Sequence, residues 1–127
     1  MQEATTLGVE FARALAEKDS ARIRDVLHPA IDFRGLTPGR TWEASDRDAV
    51  IALLFDQWFE ETDEIKTLER LESDTFADCQ RVGYRFSVSN PDGDFLVEQQ
   101  AYISDRDGQI GWMRVVCSGY RPTASPE

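Results

Sequence analysis

Four polar side chains stand inside otherwise apolar, alternating stretches and are the residues of this chain best suited to chemistry: Arg34, Glu98, Gln100 and Tyr102. A carboxyl group such as Glu98, once buried, has its pKa raised unless a cation pairs with it, and a carboxyl poised in that way can shuttle a proton. A guanidinium such as Arg34 can receive a carboxylate or a carbonyl of a ligand, while the Gln100 amide and the Tyr102 hydroxyl orient the molecule so held. The same four residues also compose a second arrangement, a buried ion pair and hydrogen-bond network that ties a sheet to its helices. Both accounts stay open on the sequence.

Other reactive residue types are sparse. His28 is the only histidine, and its place before Pro29 at a helix end suits an imidazole that caps carbonyls better than one that moves protons. Cys117 lies in a strand pattern beside Ser118 with no histidine to activate it, so it reads as a small pocket-lining residue, not a nucleophile. With one histidine, scattered acids and no metal-ligand spacing, neither a metal nor another cofactor is expected. No glycine-rich loop is present to cradle a phosphate.

The elements that must position these side chains follow from periodicity. Thr5 or Thr6 can cap a first helix with Leu7, Phe11, Ala14 and Leu15 at helical spacing, ending at Lys18-Asp19. Ser20 can cap a short second helix carrying Ile23, Val26 and Leu27, which stops at His28-Pro29 because proline disfavours helical geometry in the residue before it. Residues 30–34 alternate as a first strand, and residues 35–39 form a turn-rich connection. A third helix begins at Ser45, with Asp48 three residues on, and presents Val50, Ile51, Leu54, Phe55, Trp58 and Phe59. The acidic stretch Glu60, Glu61, Asp63, Glu64 reads as a solvated loop. Strands are then expected over 65–71, 79–89, 95–104 and 109–120, the last three forming an antiparallel meander through the turns 90–93 and Asp107-Gly108.

The chain has 127 residues, enough for one domain, expected over residues 3–122 with a disordered tail at 123–127. It carries 14 basic and 24 acidic side chains for a formal charge of −10, so nucleic acids and anionic membranes are repelled over most of the surface. No apolar run approaches the ~20 residues needed to cross a bilayer. Two cysteines within strand patterns, without a charged-then-apolar leader before the first helix, point to a reducing cytoplasm.

The order helix, helix, strand, helix and four strands resembles the nuclear transport factor 2-like superfamily, which includes ketosteroid isomerases, SnoaL-like polyketide cyclases, limonene-epoxide hydrolases and scytalone dehydratases. Its most specific pieces are residues 27–34, Leu-His-Pro-Ala-Ile-Asp-Phe-Arg, and residues 108–116, Gly-Gln-Ile-Gly-Trp-Met-Arg-Val-Val. The resemblance implies an α+β fold in which a curved, mixed, mainly antiparallel sheet wraps three N-terminal helices as a cone with an internal pocket. By strand alternation Val82, Tyr84, Phe86 and Val88 would line that pocket, as would Glu98, Gln100 and Tyr102, and Met113, Val115 and Cys117. Phe11, Phe55 and Trp58 would add helix-borne apolar surface suited to a flat or cyclic ligand. The resemblance also implies a homodimer through the convex face, where Trp112 points outward beside Arg114 and Val116.

Ketosteroid isomerisation in this fold uses a tyrosine on the first helix, a carboxylate base on the first strand and a protonated aspartic acid on the penultimate strand. Matched residue by residue, those positions fall on Phe11, Arg34 and Gln100. A phenylalanine cannot stabilise an oxyanion and an arginine cannot act as a base near neutral pH, so the chain is not expected to be a ketosteroid isomerase. It also lacks an acid in 112–117, where limonene-epoxide hydrolases place one, and the paired histidines of scytalone dehydratase. Two functions follow as expectations. One is a cofactor-free isomerase, cyclase or hydratase acting on a small apolar carbonyl compound, with Glu98 and Arg34 catalytic. The other is a non-catalytic ligand-binding or protein-interaction module.

Overall fold

The computed structural model describes residues 6–123; the cap expected from the side chain of Thr5 or Thr6, residues 3–5 of the domain and residues 124–127 of the tail lie outside what it describes. Thr123 donates its backbone N–H to the Asp94 carbonyl at 3.1 Å. The helices are α1 (Thr6–Ala16), α2 (Ser20–Val26) and α3 (Arg47–Ala52), the last running directly into a π-helical segment, Leu53–Trp58. The strands are β1 (Leu27–Thr37), β2 (Arg40–Ala44), β3 (Glu64–Phe76), β4 (Cys79–Asn90), β5 (Gly93–Arg106), β6 (Gln109–Cys117) and β7 (Arg121–Pro122). They form one sheet in the order β2-β1-β6-β5-β4-β3, with β7 on β5. Only the β1–β6 pairing is parallel among the described strands. The architecture is therefore the expected α+β cone, with helices packed in the hollow of a mixed, mainly antiparallel sheet.

Local chemistry sets the boundaries. Helix α1 ends in a paired reversal, Asp19 N–H to the Ala14 carbonyl at 2.9 Å and Lys18 N–H to the Leu15 carbonyl at 3.0 Å, with Lys18 at φ +52°. The caps of α2 and α3 each sit one residue from the serine that was expected to serve. Asp19 accepts from Arg22 N–H at 3.1 Å and Asp46 from Ala49 N–H at 2.8 Å. A carboxylate next to the serine wins because it accepts as well and also complements the positive end of the helix.

Strand β1 is longer than the alternation of residues 30–34 suggested. It begins at Leu27 and takes in Gly35, Leu36 and Thr37, so the turn shrinks to Pro38-Gly39. Pro29, which has no N–H to donate, falls where the β1–β6 register shifts between Leu27 and Asp32. The antiparallel strand β2, which the sequence reading lacked, pairs from Thr37–Arg40 to Phe33–Ala44. Its Trp42 and Ala44 pack on the core between exposed Thr41 and Glu43, an alternation of only two apolar positions beside a turn. The β5–β6 turn places Asp107 and Gly108 at φ +56° and +81°, the hairpin geometry that Asp-Gly favours.

In the π-helical segment Phe59 N–H bonds the Leu54 carbonyl at 2.8 Å, a five-residue step. Residues five apart diverge on an α-helix, and the wider turn returns them to one face. Leu53, Leu54, Trp58 and Phe59 are all buried as a result. This widening aims two adjacent aromatic side chains into the cone.

Candidate functional site

Strand β5 presents Val97, Gln99, Ala101 and Ile103 to the helices, and Glu98 and Gln100 to solvent, with Tyr102 half-buried on that outer side. The phase expected for this strand is therefore reversed. Its apolar set is the one that the hollow of the cone selects. Strand β1 likewise buries Ile31, Phe33 and Gly35 and exposes Asp32, Arg34 and Leu36. Arg34 and Glu98 both lie on the convex face, on strands separated by β6, so they share no interior environment and do not pair. Glu98 instead bridges Arg85 at 2.8 Å, Arg81 binds Asp74 at 3.0 Å and Gln100 at 3.1 Å, and Gln100 donates to the Tyr102 hydroxyl at 3.0 Å. Asp74 holds the Arg81 guanidinium above its ordinary pKa through their hydrogen bond.

The concave side holds Phe11, Trp58, Val82, Tyr84, Phe86, Met113 and Val115, all buried, with Cys117 partly buried at the edge of this core. Tilted or edge-on ring pairs knit it together: Phe11–Tyr84 at 6.4 Å, Phe33–Trp58 at 5.8 Å and Phe59–Phe86 at 5.7 Å between centroids. Gly35 is required beneath Trp58, because a Cβ there would lie 2.7 Å from the ring atom Cη2. The expected apolar lining is thus packed by its own side chains.

One polar pair interrupts it. Gln99 is 1% exposed, and its Oε1 accepts the Tyr84 hydroxyl at 2.7 Å. Its Nε2 has no hydrogen-bond partner, nor does Nε1 of Trp58. A buried donor left unpaired costs about 1–3 kcal/mol, so each is a place where an acceptor would be gained. Burial first, and the nearby Cys117 second, push the Tyr84 hydroxyl far above the ordinary tyrosine pKa. It is a neutral donor at any physiological pH. Sequence reasoning missed Gln99; the signal available was that Val97, Ala101 and Ile103 share its phase.

The acidic stretch after the π-helical segment is also not a simple solvated loop. Glu60, Glu61 and Glu64 are exposed, but Asp63 is 8% exposed. Its Oδ2 accepts from Glu60 N–H at 3.0 Å and from the Tyr120 hydroxyl at 2.9 Å, and its Oδ1 accepts from Asn90 Nδ2 at 2.8 Å. Tyr120 also reaches the Trp58 carbonyl at 2.8 Å. Lys18 Nζ donates to the Glu60 carbonyl at 2.6 Å and to the Asp63 carbonyl. Burial and the Asp63 bond raise the Tyr120 pKa well above the usual value.

His28 has a structural post, though not the one expected. Its Nδ1 accepts Ala30 N–H at 3.0 Å and its Nε2 faces the Asp107 carboxylate at 3.5 Å, so it satisfies a backbone donor at a strand start and not helix carbonyls. Cys79 and Cys117 are free thiols. Among the described residues no three of His, Cys, Asp and Glu converge as a metal site, and no helix is long and apolar enough to cross a membrane.

No family model matches the chain, and no curated protein matches it in sequence. Solved structures do match in shape. A candidate isomerase from Bacillus subtilis aligns with TM-score 0.74 and 13% identity over 92% of this chain and 90% of its own. An NTF2-like protein from Burkholderia thailandensis aligns with TM-score 0.71 and 16% identity over 93% and 92%. An LEH-like epoxide hydrolase from M. tuberculosis aligns with TM-score 0.65 and 13% identity over 91% and 82%. At such identities the likeness establishes the fold, and the chain has the nuclear transport factor 2-like fold.

Proposed function

We propose that this protein holds a compact, mainly apolar compound inside the cone by a carbonyl or similar acceptor oxygen, without a cofactor. The observation that carries this reading is the buried Gln99 amide, whose Oε1 is taken by Tyr84 while Nε2 is left unpaired. A hydroxyl that donates to an amide oxygen polarises that amide and strengthens its N–H as a donor. Aimed at a carbonyl in a dry interior, such a donor stabilises negative charge that develops on the oxygen. That is the electrophilic half of the isomerase, cyclase or hydratase chemistry found on this fold. The Gln99–Tyr84 pair would supply it where Arg34 and Glu98, out on the convex face, do not.

A second reading concerns the outer face. Leu36 and Val116 are 49% and 53% exposed and are register partners on β1 and β6; farther along β6, in the same strand phase as Val116, the Arg114 guanidinium lies 4.5 Å over the Trp112 ring. We propose this patch as the contact of a homodimer.

The test of the first reading uses nitrogen-15-labelled protein titrated with cyclohexanone and with methylenecyclohexane, which matches its shape but lacks the acceptor. The ketone should shift the Gln99 side-chain amide protons and bind at least about tenfold tighter, the value of one well-placed hydrogen bond. Equal binding of the two compounds, or an unmoved Gln99 amide, would overturn the reading.

A further inference from the structure

The interior site is closed in this structure, with Trp58 7% exposed and Phe59 and Gln99 each 1% exposed, so any ligand must displace something to enter. The segment best fitted to move is Trp58–Asp63. Two surface clefts flank it. One, of about 390 Å³, has Lys18, Ile51, Phe55 and Phe59 on its wall; the other, of about 370 Å³, has Gln57, Trp58, Asn90 and Tyr120. The same backbone thus separates two solvent-filled hollows.

Besides the ring contacts of Trp58 and Phe59, the segment is held down by a small set of polar bonds from three distant parts of the chain. Lys18, fixed by the turn that ends α1, grips the Glu60 and Asp63 carbonyls. Asn90, at the β4–β5 turn, donates to Asp63 Oδ1. Tyr120, beyond β6, reaches both Asp63 Oδ2 and the Trp58 carbonyl; its one proton can serve only one of these acceptors at a time. Each such bond contributes only about 0.5–1.5 kcal/mol. On its N-terminal side the segment follows π-helical turns, a rare geometry that recurs at functional sites. Trp58 gives up its ring contacts with Phe33 and Trp42 by leaving, a loss offset in part because its Nε1–H, buried without a partner, would find water outside.

We propose that Trp58–Asp63 is a gate over the interior and that Lys18 and the Asp63–Tyr120 contact are its latches. Opening swings Trp58 and Phe59 outward as one unit, joins the two clefts and uncovers Gln99. The gate rests on the reading of the interior as a ligand site for its purpose, but not for its existence.

The test uses Cys117, the β6 neighbour of Gln99, as a reporter in a Cys79→Ser background. Tyr120→Phe keeps the ring and removes the hydroxyl; Lys18→Met keeps the stem and removes the ammonium. Each should accelerate labelling of Cys117 by a small maleimide at least fivefold, with a weak dependence on urea that marks local opening. Cyclohexanone should associate and dissociate faster in both variants, with its Kd changed less than twofold. Unchanged labelling, or acceleration that carries the urea dependence of global unfolding, overturns the gate. Accelerated labelling in a protein that ignores the ketone supports the gate and removes the ligand reading; ketone binding with identical rates in all variants does the reverse.

Discussion

The two faces of the sheet treat polar groups in opposite ways. On the convex face Arg70, Arg81, Arg85 and Arg114 are each matched to a carboxylate across or along the strands, at 2.8–3.3 Å. On the concave face two side-chain donors, Gln99 Nε2 and Trp58 Nε1, are unmatched. Satisfied charges in water contribute little and ask for nothing more, whereas an unsatisfied buried donor is a standing deficit that a ligand can remove. The chemistry of this fold should therefore be sought where polarity is scarce, not where it is dense.

The largest effect that would test this contrast is on the inner face. Phe86→Ala removes a fully buried ring packed on Phe59 and Tyr84 and should destabilise by about 3–5 kcal/mol in urea unfolding. A loss below about 1 kcal/mol would mean that the hollow is not packed as a core. Alkaline pH gives an intermediate effect through Tyr84. The folded chain holds its hydroxyl protonated far above the value of about 10 that it has when unfolded. Its contribution is thus fully present below about pH 10 and is lost as pH rises, at up to about 1.4 kcal/mol per pH unit. Urea midpoints from pH 9 to 11.5 should fall, and Tyr84→Phe should flatten the slope. The smallest effect belongs to the outer face: a double-mutant cycle with Arg85→Ala and Glu98→Ala should give a coupling below about 1 kcal/mol. A larger coupling would show that the two faces differ less than their burial implies.

Much of the fold was legible because its determinants are local or periodic. The apolar faces of α1 and α3, the alternation of β4 and the Asp107-Gly108 turn each carry their own signal. Strand β2 carried only a weak one, since its five residues offer just Trp42 and Ala44 to alternate with Thr41 and Glu43. The site was misread for a related reason. Glu98, Gln100 and Tyr102 attracted the inward assignment by their chemistry, although Val97, Ala101 and Ile103 marked the opposite phase, and one residue of slip exchanges every side chain between faces. Asp63 could not have been distinguished from Glu60, Glu61 and Glu64 by sequence, because what buries it are partners at positions 90 and 120.

The parallel pairing of β1 with β6 has a consequence in time. The contact between Arg114 and Asp32 spans 82 residues, so a strand made early must wait for nearly the last one before this seam of the sheet can form. Joining ends so far apart loses chain entropy before any contact repays it, which slows folding in proportion to the topology and not to the stability. During synthesis β1 and its hairpin partner β2 would stand with one edge unpaired until β6 emerges, and that interval is when the nascent chain is most open to pairing with the wrong neighbour.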